Sequence, residues 1–348
     1  MRESHLQHLR CPQCQATLDL TESVERKGRI ETGQLRCVTC RTGYPILRFV
    51  PRFVPEANYA DSFGLEWNVH ARTQYDQTSG MAVSETRFFV ETGWPRDLER
   101  EMVIEVGSGS GRFTEQALST GATVLSLDYS GAVEANHASN GHHENLLLVQ
   151  GDLFRMPFPR DYADRLFCFG VLQHTPDPEG ALRSISSHVR PDGDLVADIY
   201  NKNIVKYVLG TKYWVRPLTR RVAPEKLYRL TSRYVDFMWP LAQRVRRIPK
   251  IGKPLNWRLL VADYSNLTAN DDLLREWAHL DTFDMLSPRY DKPARIRTVR
   301  QWCEKIGLAA EVKPGPWGIQ IRARRLPTHG AVRALRDGSP RSIPVRQG

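Results

Sequence analysis

An apolar run that dissolves into alternating glycines constrains this chain more than any other feature: Val103-Ile104-Glu105-Val106-Gly107-Ser108-Gly109-Ser110-Gly111-Arg112. The run suits a short buried strand. The glycines after it let the backbone turn tightly and let a ligand approach where a side chain would clash. The same rhythm continues downstream. Strands are expected at Met102–Val106, Thr123–Leu127, Leu146–Val149, Arg165–Phe169 and Leu195–Ile199, with Pro191-Asp192-Gly193 as a turn into the last. Helices are expected at Phe113–Leu118, 131–139 and Ala181–Val189. Short buried strands alternating with helices predict right-handed βαβ units and a parallel sheet, an α/β Rossmann-like fold.

The alternation stops after Tyr200 and resumes with a helix at Ile296–Ile306 and strands near Leu308–Val312 and Trp317–Ala323. The α/β domain therefore spans 101–326, and 202–289 is a helical insertion between its fifth and sixth strands. Residues 56–100 read as a helical extension. From 327 to 348, Gly, Pro, Ser and Arg dominate, which predicts a disordered tail.

The glycine loop alone also fits a dinucleotide fold, and two residues argue against that. Arg112 stands where the dinucleotide fingerprint needs a third glycine. Glu105 would repel a pyrophosphate, whereas it suits a cofactor carrying an ammonium and a sulfonium. Asp128 ends the second strand, about 20 residues after the loop begins, where a carboxylate can accept both ribose hydroxyls; a solvated loop aspartate is the plainer alternative. Asp152 and Leu153 follow the third strand, at the adenine end of the crevice, and a turn aspartate is the alternative there. Gly170 allows backbone contact with a methionine arm. His174, at the carboxyl end of the sheet, is a candidate base or else a structural histidine that bonds the adjoining loop.

In order along the chain, Glu105-x-Gly107-x-Gly109-x-Gly111, Asp128, Gly151-Asp152 and Leu172-Gln173-His174-Thr175-Pro176-Asp177-Pro178 resemble class I S-adenosylmethionine (SAM)-dependent methyltransferases. The broad type is that of the ubiquinone and menaquinone methyltransferases, and the resemblance covers 101–200 and 290–325. It implies a seven-stranded sheet with S-adenosyl-L-methionine as cofactor. Glu105 and the three glycines would hold the methionine arm, Asp128 the ribose, and Asp152 with Leu153 the adenine. Gln173 departs from the pattern, since similar proteins often have a second histidine there. Ser62-Phe63-Gly64-Leu65-Glu66-Trp67 and Asp284-Met285-Leu286-Ser287-Pro288-Arg289-Tyr290 resemble a subgroup with an N-terminal zinc ribbon. That resemblance implies that the first segment covers the cofactor and the second lines the acceptor site, making Arg289 and Tyr290 the substrate-binding candidates.

Cys11-Pro12-Gln13-Cys14 and Cys37-Val38-Thr39-Cys40 are separated by 22 residues. Two such knuckles complete a closed tetrahedral site, which predicts structural zinc rather than a reactive metal. The spacing is slightly long for the motif and is bridged by a β-hairpin; redox pairs or unrelated thiols are the alternatives. A module of this size, 5–55, has too little core to fold alone, so metal should supply much of its stability. With Gly43-Tyr44-Pro45-Ile46 and Val50-Pro51-Arg52 it resembles the Trm112-like zinc ribbon, whose kind activates tRNA, rRNA and release-factor methyltransferases. Cys168 and Cys303 lie in apolar stretches and read as core thiols.

The net charge of +10 is concentrated. Lys202 to Arg258 holds fifteen Lys or Arg against Glu225 and Asp236, a net +13 that leaves the rest of the chain at −3. Leu227, Leu230, Tyr234, Met238, Leu241 and Val245 recur at helical steps as one apolar face, with Pro240 expected to kink or divide the helix. Lys226, Arg229, Arg233, Arg244, Arg246 and Arg247 flank it. Four readings stay open: a packed lid with solvated charges, a site for an anionic acceptor, peripheral contact of 202–258 with an anionic membrane, or an RNA grip. The first ten residues cannot act as a signal-peptide core, and no run approaches the roughly 18 apolar residues that span a bilayer. The expectation is a cytoplasmic enzyme without a transmembrane segment. Its acceptor is expected to be small or lipid-like and to sit under the lid, with His174 as base. RNA methylation is the competing expectation, and a non-catalytic binding protein built on the same scaffold is the third.

Overall fold

The computed structural model describes residues 1–55, 58–203 and 210–327. The tail expected at 327–348 therefore lies, beyond Pro327, outside the described residues. At the N-terminus, β1 (Leu18–Arg26), β2 (Arg29–Cys37), β3 (Gly43–Leu47) and β4 (Val50–Pro51) form an antiparallel sheet in sequence order. Lys27 and Gly28 both take positive φ, 52° and 68°. Two such residues make the tight turn whose twist matches a hairpin. This is the hairpin that spans the gap between the two cysteine knuckles.

Three helices follow, α1 (Asp61–Val69), α2 (Asp76–Ser79) and α3 (Val83–Thr92). The α/β unit then unfolds in the expected rhythm: β5 (Met102–Val106), α4 (Arg112–Leu118), β6 (Thr123–Asp128), α5 (Val133–Asn140), β7 (Leu146–Gln150), β8 (Ala163–Cys168), α6 (Pro178–Ser186) and β9 (Val189–Ile199). After the insertion and the helix Ile296–Ile306 come β10 (Leu308–Gly315) and β11 (Gly318–Arg325). The seven strands lie in the order β10-β11-β9-β8-β5-β6-β7. β5 to β9 pair in parallel, and β11 joins β9 antiparallel. The strand order reverses between β5 and β8, and a doubly wound sheet binds its ligand in the crevice at that reversal.

Two local readings change. Pro191-Asp192-Gly193 is not a turn before the strand but a bulge inside β9. Between Ala163↔Val189 and Arg165↔Asp194 the register shifts, and Asp192 sits at φ 60°. Such bulges absorb extra residues on one strand. The helix Pro224–Val245 also runs undivided through Pro240.

The basic insertion packs differently from the periodicity expected of it. The buried face of Pro224–Val245 is Leu227, Thr231, Val235, Trp239, Ala242 and Val245. Val235, Trp239 and Ala242 form a small core with Val261, Leu274 and Ala278. Leu230, Tyr234 and Leu241, placed above on the same apolar face as Leu227 and Val245, are exposed. Small Thr231 and Ala242 let the neighbouring helix Asp271–Leu286 approach, so packing volume chose the face. Trp239 Nε1 donates to Asp271 Oδ2 at 3.1 Å, which anchors that choice.

The cysteine module is not a separate body. Leu9, Cys11, Leu18, Ile30, Leu35 and Ile46 share one buried cluster with Ile104, Leu125 and Leu147 of the central sheet. Arg52 bridges to Gln150 at the end of edge strand β7, and Phe53 N donates to Gln150 O at 2.8 Å. Arg48 Nε and Nη2 reach Glu134 at 3.0 and 2.7 Å, and Arg52 binds the same carboxylate. The module thus covers the edge that an open sheet would otherwise expose. Leu9 is fully buried in the shared cluster. Leu9→Ala should cost about 2–5 kcal/mol and lower one common unfolding transition in calorimetry. A separate low-temperature transition, with the main one unmoved, would show the module to be autonomous.

Candidate functional site

The glycine loop lies at the mouth of the crevice, and its glycines have different jobs. Gly107 has φ 79°, and a Cβ there would drive into the Val171 side chain. Gly109 has φ 53° and lies under the Trp67 indole, 3.2 Å from where its Cβ would be. Gly111, at φ 94°, would strike Asn136 and Asn140. The third glycine therefore serves packing of the loop against α5, and it does not line the cavity.

Glu105 is also set back. Its Oε2 accepts from Thr114 Oγ1 at 2.5 Å and from Ser126 Oγ at 2.7 Å, behind the loop. Burial pushes its carboxyl up to about 7, against the pull of those two hydrogen bonds. Asp128 does face the crevice. Its Oδ2 accepts from Gly109 N at 2.8 Å, and its Oδ1 takes Ser130 N at 2.8 Å and Oγ at 2.7 Å. Asp152 Oδ1 caps a short turn through Phe154 N at 2.9 Å, and both Asp152 and Leu153 face the cavity.

On the other side of the reversal, Gly170 takes φ 72° and its N donates to Asp198 Oδ1 at 2.6 Å. Asp198 is held in turn by Arg87 Nη2 at 2.5 Å, and Arg87 Nε reaches Glu91 at 2.8 Å. His174 Nδ1 lies 3.0 Å from Tyr290 O. A carbonyl can only accept, so Nδ1 donates in this contact, and in the neutral ring the lone pair is on Nε2. The ring packs against Phe63 and Tyr200, with centroids 5.2 and 5.6 Å away.

These residues surround one cavity of about 1070 Å³. The sheet supplies its floor, α1 one wall and the insertion its roof. Gly107, Gly109, Asp128, Asp152, Leu153, Gly170 and His174 are brought together there, and Glu105 and Gly111 stand behind it. Arg289 is exposed, and neither it nor Tyr290 lines the cavity. From that motif the lining residues are Asp284 and Met285. Tyr290 contributes its backbone carbonyl to His174 and its ring to Tyr59, at 5.4 Å.

Sequence reasoning singled out no carboxylate here, although Glu66 and Asp284 lie in the two segments read above as covering the cofactor and lining the acceptor site. Glu66 is fully buried, and neither of its carboxylate oxygens has a hydrogen-bond partner. Burial, then the charges of Asp284 and Asp281, hold its carboxyl well above the usual range. Asp281 is pushed up to about 7 by burial and by Asp284. Asp281 and Asp284 are three residues apart on one helix and so share a face, a spacing legible in the sequence. Lys212, Arg216 and Tyr264 also line the cavity. Arg216 is bound to Asp291, and half-buried Arg112, another of the guanidinium groups lining the cavity, lies over the Phe113 ring at 4.4 Å.

In the N-terminal module, the Sγ atoms of Cys11, Cys14, Cys37 and Cys40 lie within 4.8 Å of one another. Zn–S bonds of about 2.3 Å in a tetrahedron require sulfurs about 3.8 Å apart, so the donor set fits such an ion. Tyr44 Oη lies 3.2 Å from Cys11 Sγ and closes one side. Cys168 and Cys303 are buried in the core, as expected.

Residues 104–197 match the family described as a methyltransferase domain. The chain is 25% identical over 131 residues to the ubiquinone biosynthesis O-methyltransferase of Pseudomonas fluorescens strain SBW25, covering 36% of this chain and 56% of the relative. The corresponding Pseudomonas putida W619 enzyme is 26% identical over 130 residues, covering 35% and 56%. The chain thus spans little more than half the length of the curated relatives it matches. Among solved structures, a candidate SAM-dependent methyltransferase from Methanococcus maripaludis aligns at 14% identity, TM-score 0.43, over 79% of this chain and 97% of that one. A chain in the complex of the Haloferax volcanii Trm112 methyltransferase activator with a candidate methyltransferase aligns at 14% and TM-score 0.44, over 77% and 98%.

Glu105 gives this site a pH signature. Its folded pKa of about 7 lies above the ordinary carboxylate value. The folded state therefore holds the extra proton, and stability falls as pH rises from about 4.5 to 7. Glu105→Gln keeps an acceptor for Thr114 and Ser126 without the charge. Denaturation at pH 8 should find the variant about 1–3 kcal/mol more stable, with the gap closing near pH 5. An unchanged gap across that range would show that the carboxyl is not strained by burial.

Proposed function

We propose that this chain, whose residues 104–197 are a class I SAM-dependent methyltransferase domain, methylates a small or lipid-like acceptor held beneath its helical insertion. The observation that carries the reading is the cavity of about 1070 Å³. Its floor is the glycine loop and its roof is the insertion, with Tyr213, Trp257 and Tyr264 among the roof residues. Its volume reaches the upper end of the usual ligand-site range of about 300–1000 Å³, which suits two ligands side by side.

In this reading Gly107, Gly109 and Gly170 present backbone to the methionine arm. Asp128 accepts the ribose hydroxyls, and Asp152 with Leu153 takes the adenine. Glu105 and Gly111 act from behind, by fixing the loop. SAM supplies a methyl group already activated on a sulfonium. What remains for the chain is alignment and water exclusion. Phe63 and Trp67 close the site over the loop, in keeping with the covering role of the Ser62–Trp67 segment. His174 Nε2, left with its lone pair, is the candidate base for a hydroxyl acceptor. The orphaned oxygens of Glu66, with Asp281 and Asp284 beside it, are the acceptor-binding candidates in place of Arg289 and Tyr290.

The four cysteines are proposed to hold one structural zinc, remote from the cavity. RNA remains the competing acceptor. The ribbon's Arg48 and Arg52 are bound to Glu134 of the same chain, which weighs against a ribbon devoted to phosphates.

Two measurements test these assignments. Asp128→Ala should lose about 1.5–3 kcal/mol of SAM binding, roughly a ten- to hundredfold drop by calorimetry. A wild-type chain that ignores SAM and its demethylated product but binds NAD would sink the cofactor assignment. Elemental analysis should find close to one zinc per chain, lost in Cys37→Ser. Stoichiometric zinc retained after replacement of all four cysteines would place the metal elsewhere.

A further inference from the structure

The outer face of the insertion carries apolar side chains that nothing among the described residues covers. On the helix Pro224–Val245, Leu230, Tyr234, Phe237 and Leu241 recur at steps of four, three and four, so they form one stripe. All four are exposed, and Phe237 shows 81% of its surface to solvent. The stripe continues onto a neighbouring helix. Tyr234 Oη donates to Leu259 O, at 2.5 Å, beside the helix Gly252–Arg258, where Leu255 is exposed and Ile251 just precedes it, 60% exposed. Scattered single apolar residues on a surface need no explanation, but a contiguous patch does.

The charges around the stripe select its occupant. Lys226, Arg229, Arg233, Arg244 and Arg247 are exposed beside it. Of the two acids in this segment, Asp236 is already taken by Arg275 at 2.8 Å and His279 at 3.0 Å. A second copy of this chain would set one basic face against another across a two-fold axis, and that repels. A nucleic acid would satisfy the cations but gives Leu230 and Leu241 no apolar partner. An anionic bilayer satisfies both, with apolar side chains at the acyl boundary and Lys and Arg at the headgroups. No helix among the described residues is long and apolar enough to cross a membrane, so the contact would lie in the plane of the interface.

We propose that this stripe seats the insertion on an anionic lipid surface, and that the methyl acceptor is an amphiphile drawn from that surface. The helix Gly252–Arg258 connects the two places: Trp257 lines the cavity while Leu255 faces out beside the stripe. The acceptor part of this inference rests on the reading of the insertion as the roof of the acceptor cavity; the docking part does not.

Co-sedimentation of the full chain with phosphatidylcholine vesicles, with and without phosphatidylglycerol, tests it. The wild type should bind the anionic vesicles, ignore the neutral ones and release in high salt. Phe237→Ser with Leu241→Ser should weaken that binding roughly tenfold or more, and Arg233→Glu with Arg244→Glu should do the same. Both variants should keep wild-type SAM affinity, which shows that they fold. A wild type that ignores both vesicle types, or binds both equally, overturns the proposal. So does self-association in ultracentrifugation that Phe237→Ser abolishes, or salt-sensitive RNA binding with no vesicle binding. Vesicle binding paired with methylation of only soluble, non-amphiphilic products would leave docking intact and overturn the acceptor class.

Discussion

Asp128 pins the glycine loop to the end of β6, and the site depends on that one clamp. One carboxylate oxygen accepts from Gly109 N, and the other takes both the N–H and the hydroxyl of Ser130. Across the strand reversal, Asp198 does the matching work: it accepts from Gly170 N and is held by Arg87. Two buried carboxylates thus fix two positive-φ glycines on either side of the crevice. A backbone preset in this way costs a ligand nothing to arrange, which is what favourable binding and oriented transfer require. Asp128 then does two jobs, as clamp and as proposed ribose acceptor.

The sheet was legible because its signals are local. Apolar strands, glycine turns and helix lengths each sit within ten or so residues; four of the five parallel strands fall within two residues of where the pattern put them, and β9 begins earlier, at Val189. The cavity floor was legible for the same reason. Three features were not. Gly111 looked like a ligand glycine because spacing alone cannot tell backbone approach to a cofactor from backbone approach to Asn136. Glu105 looked like a first contact because a strand end does not reveal that Thr114 and Ser126 will claim its carboxylate. Arg289 and Tyr290 stood in a conspicuous motif, yet the helix before them turns Asp284 and Met285 inward instead.

The insertion shows most plainly where periodicity runs out. Two faces of Pro224–Val245 carry apolar residues at helical spacing, and the sequence favours the larger side chains. Packing favours the smaller ones, because Thr231 and Ala242 admit the neighbouring helix and Trp239 finds Asp271. The displaced large residues end up outside, among the cations. The +13 of this segment therefore belongs largely to an outer surface, while its inner side meets a wall containing Glu66, Asp281 and Asp284. Inside, Lys212 and Arg216 line the same cavity as these acids, so its fixed charges are mixed, whereas the outer surface is predominantly basic and suits an anionic surface. The ribbon makes a parallel point, since its core merges with that of the sheet and it covers the β7 edge.

The central claim is that cofactor and acceptor meet in one cavity under the insertion. Incubating the purified chain and a cell extract with methyl-labelled SAM, then counting label in the small-molecule, lipid and RNA fractions, tests it most directly. The account predicts label in the small-molecule or lipid fraction, lost when Asp128 is replaced. Label confined to RNA, or none in any fraction although SAM binds, would contradict it.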